Sequence, residues 1–456
     1  MGDAGKSAAT VSAEPHRTGL HHAGREADGA RLPVSTQNIT SLHSLVRTGL
    51  FVAALLLIWI TLEPFSDITR IEASDAAVRG DLLNQLAFLT LAGAFTCYIS
   101  FNDPGQLRAI FTVPLLVLLA WIVITVLFSY HPAISARRFI LVLIVMYIAA
   151  IMPLLPLSVR HFATMLAACA SLVIVLCYLG IVLVPALAVH QSSDPMQSVA
   201  GNWRGLFSHK NTAGAMMGLF IIIGAYVART RHRAWGMAII ITAAIFLYFS
   251  QAKTPLMLVP VVLIATLVLS RLPALLQIAG YLALFALFNL MTIGSVYFPA
   301  VADFVASVMS DPTFTGRTYI WEFMSPYISA NLMTGYGFAA FWSSSEIFNA
   351  TTEAPAFVPA LTSGHNSYFD LVLTIGLPGI MLVMAWIVFT PVFDARRAQA
   401  HPEQQALAVL FIRIWLFAML SSSFESILFQ RNDPFWFMLL ISVFGLRYLT
   451  RQRLVQ

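Results

Sequence analysis

Runs of about twenty apolar residues, each nearly free of charge, recur from Leu50 to Leu449. A helix needs about twenty such residues to cross roughly 30 Å of hydrocarbon. Within lipid only a helix or a closed barrel satisfies its own backbone groups, and barrel strands alternate in polarity where these runs do not. The chain is therefore expected to be all-α and polytopic. Of its 456 residues, 59% are hydrophobic and 10% charged, against roughly a quarter charged in soluble domains.

Twelve transmembrane helices are predicted, at about 49–64, 82–101, 109–129, 139–157, 162–187, 212–228, 235–250, 255–270, 273–298, 367–390, 405–424 and 434–450. With a cytoplasmic amino terminus, Arg47, Arg108, Arg160, the run 229–233, Arg271, Arg396, Arg397 and the run 447–453 all fall inside, as positive-inside bias requires. Both termini are then cytoplasmic. Residues 1–40 are rich in Gly, Ala, Ser and His without an apolar period and read as a disordered tail; 41–456 read as one membrane domain. The first run ends in Leu62, Glu63 and Pro64 with no small-residue cleavage pattern, so it should remain as an anchor. Cys97, Cys169 and Cys177 lie inside apolar runs and form no disulfide or metal-ligand pattern. The pI near 9.2 reflects arginines scattered among loops, which argues against nucleic acid as a partner.

Two outer segments exceed a turn, 188–211 and 299–366. In the second, Ile320, Phe323, Met324, Tyr327 and Ile328 recur at helical spacing between Arg317 and Ser329. An amphipathic helix is expected there, lying along the outer interface with Tyr319 and Trp321 at headgroup level.

The polar segments GNWRGLFSHKN (201–211), SQAKTP (250–255), FTGRTYIW (314–321) and SGHNSYFD (363–370) all fall on the outer side. They gather Arg204, His209, Lys210, Lys253, Arg317 and His365 into one cationic, histidine-bearing site suited to an anionic, lipid-linked substrate. Lys210 precedes Asn211, Lys253 precedes Thr254 and Pro255, and His365 precedes Asn366. Asn and Thr favour N-caps and Pro the first turn, so three helix amino termini are expected to turn N–H groups and positive dipole ends outward, where phosphate binds. The ordinary reading is that every inward-running helix needs a cap; the cations beside the caps, however, run against the positive-inside trend. Arg204 and Arg317 suit bidentate phosphate contact, with snorkelling to headgroups as the ordinary reading. That ordinary reading is preferred for Arg137, Arg138 and Arg431, which have no polar motif around them. His365 can accept a proton near neutrality, given an unperturbed histidine pKa of roughly 6.5. His209 offers the same chemistry, and the sequence does not rank the two. The outer carboxylates Asp303, Asp311, Glu322, Glu346, Glu353, Asp370, Glu425 and Asp433 form no tight acidic pair, so no metal is expected, and Arg and Lys would neutralise a departing diphosphate.

The segment 203–211, Gly316 and Arg317 with Trp321, the run 335–338 (GYGF), the run 365–368 (HNSY) and the run 376–379 (GLPG) resemble the O-antigen ligase and polysaccharide polymerase superfamily over about 200–380. The resemblance implies a metal-independent, inverting glycosyltransferase, without cofactor, at the periplasmic face of a bacterial inner membrane. Its donor would be a glycan on undecaprenyl diphosphate and its other partners a glycan acceptor, a flippase, and chain-length or export proteins. It further implies that His365 activates the acceptor hydroxyl and that Arg204 and Arg317 grip the diphosphate, with 299–366 as the periplasmic loop. One departure is Lys253, standing where ligases usually show an Arg; it offers a point charge in place of a fork. The wording Ser208, His209, Lys210, Asn211 looks closer to exopolysaccharide polymerases than to ligases acting on lipid A core. A transporter or flippase is the competing class, but it would carry ionisable groups at mid-membrane, where this chain has little beyond Arg413. A non-catalytic scaffold of an export complex is the other.

Overall fold

The computed structural model describes residues 34–61, 64–66, 82–102, 104–194, 197–343, 361–399 and 404–451. The chain divides into two units, Met1–His43 and Ser44–Gln456. Among the described residues the first contributes only the start of helix α1, Val34–Ile60. Most of the expected tail, together with Glu346 and Glu353 of the long loop, lies outside the described residues.

The second unit is helical, and the described residues contain no strand beyond an isolated bridge between Val189 and Trp203. After α1 come α2 (Leu82–Phe101), α3 (Val113–Leu127), α4 (Pro132–Ile151), α5 (Val159–Leu183), α6 (Lys210–Thr230), α7 (Arg233–Ser250), α8 (Lys253–Leu269) and α9 (Ala274–Tyr297). The short α10 (Pro299–Val308) and α11 (Arg317–Ala330) precede α12 (Ser367–Gln399), α13 (Gln405–Ser421) and α14 (Pro434–Leu449). Each predicted apolar run thus has a helix. Among the described residues eight are long and apolar enough to cross a membrane, or nine if the short 3-10 helix Pro104–Ile110 and α3, bent by 84°, count as one broken span. Helices α8, α13 and α14 are shorter, at 17, 17 and 16 residues, or roughly 24–26 Å of helix.

Boundaries shift for local reasons. Helix α1 begins at Val34, well before the expected start of the first span. Helix α4 begins at Pro132, whose fixed φ suits a first turn, so Arg137 and Arg138 stand inside it. Ser158 and Asp433 cap α5 and α14 by accepting the N–H of His161 and Trp436.

The basic residues expected on one side do meet at one end of the unit. Arg47 donates to the carbonyls of Leu154 and Leu155 at 2.7 and 2.6 Å, Arg231 to Thr164, and Arg447 to Ala109 and Asp394. The polar segments lie at the other end.

Helix α12 is broken where it most needs explanation. Gly376 has φ 71° and ψ −179°, a conformation essentially reserved for glycine, and Pro378 has no N–H to give. The carbonyls freed at the break are taken from outside the helix: Leu373 by the N–H of Tyr336 at 2.9 Å, Thr374 by that of Gly337 at 3.0 Å, and Ile375 by the indole of Trp121 at 2.8 Å. Leu377 donates to Leu332 at 2.7 Å. The GYGF and GLPG motifs are therefore two halves of one junction, which fixes the loop after α11 against the helix that follows His365.

Helix α11 forms at Arg317–Ala330 as expected, but it corrects the expectation that Trp321 sits among headgroups. Trp321 is 0% exposed, donates to the carbonyl of Gly364 at 2.9 Å and stacks near Phe369. Ile320, Met324 and Ile328 join it in a second hydrophobic cluster with Phe314, Leu373 and Phe424. Only Tyr319, at 54% exposure, faces outward as expected.

Candidate active site

The segment 421–433, between α13 and α14, is stitched to the start of α12. Ser367 donates its N–H to Ser422 and its hydroxyl to the carbonyl of Glu425 at 2.9 Å each, and the same hydroxyl accepts the N–H of Ile427 at 2.8 Å. The Asn366 amide donates to Ser423 at 3.0 Å while its oxygen caps α12 on Tyr368 and Phe369. Asn366 is thus the predicted cap, fully buried. Asp370 closes the framework, accepting the indole of Trp342 at 2.7 Å, the N–H of Gly364 and the hydroxyl of Ser426.

This framework delivers Glu425 to a point where three elements converge. One carboxylate oxygen accepts Arg317 Nη2 at 2.6 Å and the Asn211 amide at 2.8 Å; the other faces His365 Nδ1 at 3.0 Å. Burial would raise this carboxyl, but the Arg317 charge, the His365 ring and His209 outweigh it and hold it at about 2. An ionised carboxylate only accepts, so Nδ1 of His365 carries the hydrogen; in the neutral ring Nε2 then holds the lone pair. His365 is 39% exposed, stands at φ 49°, a left-handed conformation unusual outside glycine, and lines a cavity of about 160 Å³. Asn211 and Met216 of α6, Thr254 and Pro255 of α8, Glu425 and Asp433 share its wall. Burial lifts Asp433 to about 7, against the N–H groups of Trp436 and Phe435, with the Glu425 charge adding to the rise.

The two histidines that the sequence left unranked have different jobs. His209 is the N-cap of α6, its Nδ1 accepting the N–H of Asn211 at 3.1 Å. Burial and the neighbouring His190 ring lower it to about 4, so it stays neutral. His190 in turn accepts the N–H of Lys210 at 3.2 Å and pairs with Asp194 at 3.0 Å. The expected caps Asn211 and Thr254 are corrected: Asn211 lies within the first turn, and α8 starts from Ala252 with no side-chain cap, leaving its N-terminal dipole end open beside the cavity.

None of the predicted cations lines the cavity itself. Lys210 donates Nζ to Gln251 at 3.2 Å and lies within electrostatic reach of Lys253 and Arg317. Arg317 also donates to Phe314 at 3.1 Å, and its Nε is buried without a hydrogen-bond partner among the described residues. Arg204, 2% exposed, does not line the cavity; it donates to the carbonyls of Phe207 and Ser66 at 3.2 and 3.1 Å and so secures the loop that carries His209. Glu425 is what sequence reasoning missed as a site residue. Its signal was an acid in a serine-rich segment between two spans. Arg413, the charge inside a span, donates to Thr266 at 3.1 Å, about 20 Å along α8 from Lys253.

Residues 237–384 match the family model described as O-Antigen ligase. The match takes in Lys253, Arg317 and His365 but neither Asn211 nor Glu425. No curated protein matches the chain.

Proposed function

We propose that this chain, a member of the O-antigen ligase and polysaccharide polymerase superfamily, transfers glycan repeat units from undecaprenyl diphosphate to a growing glycan at the periplasmic face of the bacterial inner membrane. The single observation that carries this is the Glu425–His365 pair at the cavity, with one imidazole nitrogen fixed as donor and the other left as base. Nε2 of His365 takes the proton of the acceptor hydroxyl as its oxygen bonds to the anomeric carbon from the face opposite the leaving group, which inverts that centre. The bond from that carbon to the diphosphate oxygen breaks. Lys210, Lys253, Arg317 and the uncapped start of α8 meet the charge that departs with it. Glu425 balances the imidazolium formed, the part a carboxylate plays in a triad. No step calls on a metal. A topology of twelve spans with both termini cytoplasmic would put this cavity in the periplasm, and a chain-length regulator, export proteins and a flippase supplying the donor are the expected company.

Polymerisation of an exopolysaccharide is preferred to ligation onto lipid A core on the wording of 208–211. The test is a deletion strain complemented at equal membrane levels, with secreted polymer and lipopolysaccharide profiled separately. His365→Ala should lower transfer by roughly 10²–10⁴-fold, Glu425→Gln by roughly 10²-fold or more, and His209→Asn, which keeps a cap acceptor, should stay near wild type. Loss of long polymer with single units accumulating marks a polymerase; polymer missing only from lipid A core marks a ligase. Full rescue by His365→Ala would sink the assignment.

A further inference from the structure

The cavity beside His365 carries hydroxyls that the protein itself does not use. Ser421 closes α13 at 4% exposure and lines the cavity, yet its hydroxyl makes no hydrogen bond among the described residues. Its neighbour Ser422 turns the same group back to the Ala418 carbonyl at 2.9 Å, a usual recourse of a serine within a helix. Thr212 of α6 and Thr254 of α8 line the same space, and their hydroxyls are likewise unbonded among the described residues. Both stand in first turns. Buried polar groups nearly always have a partner, so a hydroxyl like that of Ser421 calls for one from outside the chain.

Two carboxyls complete the polar wall. Glu425 is engaged by Arg317, Asn211 and His365. Asp433 accepts the N–H of Trp436 at 2.7 Å and pairs with no side chain among the described residues. Met216, Pro434 and Phe435 add carbon surface, the last held edge-on against Phe417 at 4.9 Å. At about 160 Å³ the cavity is roughly ten times what one water needs, room for a single sugar ring. Hydroxyls, carboxyls and carbon walls together match a pyranose, polar at its edge and clad in C–H groups on its faces. No lysine or arginine lines the space. A phosphate or a uronate inside it would meet Glu425 and Asp433 with no cation in the wall. Lys210 and Lys253 stand next to the lining residues Asn211 and Thr254, at the rim.

We propose that this cavity is a subsite for one uncharged sugar ring, the acceptor unit whose hydroxyl faces His365. Ser421, Thr212 and Thr254 bond the hydroxyls of that ring, and Asp433 with Glu425 excludes acidic sugars. The assignment rests on the function proposed above and leaves the donor's diphosphate outside, toward Lys210 and Lys253.

Saturation-transfer difference NMR on the full-length protein, in a detergent without a sugar headgroup, tests it with no transfer reaction. The pH is 8, where Asp433 is ionised. The probes are the methyl glycosides of glucose, galactose and mannose and the matching uronates. At least one neutral glycoside should bind, and its uronate should bind roughly tenfold more weakly or worse. Ser421→Ala should weaken the neutral glycoside roughly fivefold, Thr212→Val should act in the same direction, and Asp433→Asn should narrow the gap to the uronate. Farnesyl diphosphate in excess should leave the sugar signal in place. Failure of every neutral glycoside to bind, equal binding of the uronates, or no change in Ser421→Ala overturns the subsite. Displacement of the sugar by farnesyl diphosphate would put the diphosphate in the cavity and overturn it too. Normal polymer from His365→Ala would end the proposed chemistry while leaving this binding intact, so the two readings fail separately. With transfer working, Ser421→Ala should raise KM for the acceptor and not for the donor; a rise confined to the donor overturns the acceptor assignment.

Discussion

Asp433 titrates near neutrality, because burial holds its proton to about 7, whereas in an unfolded chain an aspartate loses it at roughly 3.9. Between those values the folded form binds the extra proton, so the stability contributed by neutral Asp433 is full below about pH 4 and is lost as pH rises through about 7. Asp433→Asn removes the titration yet keeps an acceptor for the N–H of Trp436. Thermal unfolding in detergent should show wild type losing Tm relative to the variant between about pH 5 and pH 8, and parallel curves would assign the titration elsewhere. At this scale the sequence told much about His365, whose polar motif opens a span, and little about Glu425. The partners of Glu425 lie 60, 108 and 214 positions away, a separation that no local pattern reports. It also told too little about Arg204, since an arginine that secures carbonyls and one that grips phosphate are spelled alike.

Helices were legible wherever an apolar run was long, as α5 and α9 show, and least legible where tertiary partners override local preference. The sequence alone favours Asn211 and Thr254 as caps; His209 takes the first place because its ring is held by packing against His190 at 5.2 Å. Helix α11 has the period of an interfacial helix, but its aromatic face finds Gly364 and Phe369 before it finds lipid. The break in α12 is the element most exposed to a single change. A Cβ at Gly376 would sit 2.2 Å from the Met333 carbonyl oxygen, and the backbone there is one that L-residues avoid. Gly376→Ala should therefore cost more than about 3 kcal/mol and detach the 331–338 loop. Fluorescence-detected gel filtration should show little folded protein, and a wild-type elution peak would mean that the junction tolerates a side chain.

For the molecule as a whole, Arg231 and Arg447 stand at the ends of α6 and α14 far from the cavity, as the charge pattern foretold; which end faces the periplasm is the part to measure. Single cysteines at Thr318 and at Arg397 in a background without Cys97 should differ, the first reacting with an impermeant maleimide added to spheroplasts and the second only after lysis. The reverse pattern would place His365 in the cytoplasm and end the proposed chemistry. The broken helix also bears on how the protein is made. Trp121 and the 331–338 loop, which take up the carbonyls freed in α12, are both translated before Gly376 leaves the ribosome. Unpaired carbonyls in hydrocarbon cost several kcal/mol each, so a helix like α12 is poorly suited to enter lipid alone. Vectorial synthesis solves this by having the receiving groups in place first, which makes membrane insertion of the final fifth of the chain conditional on the folding of what precedes it.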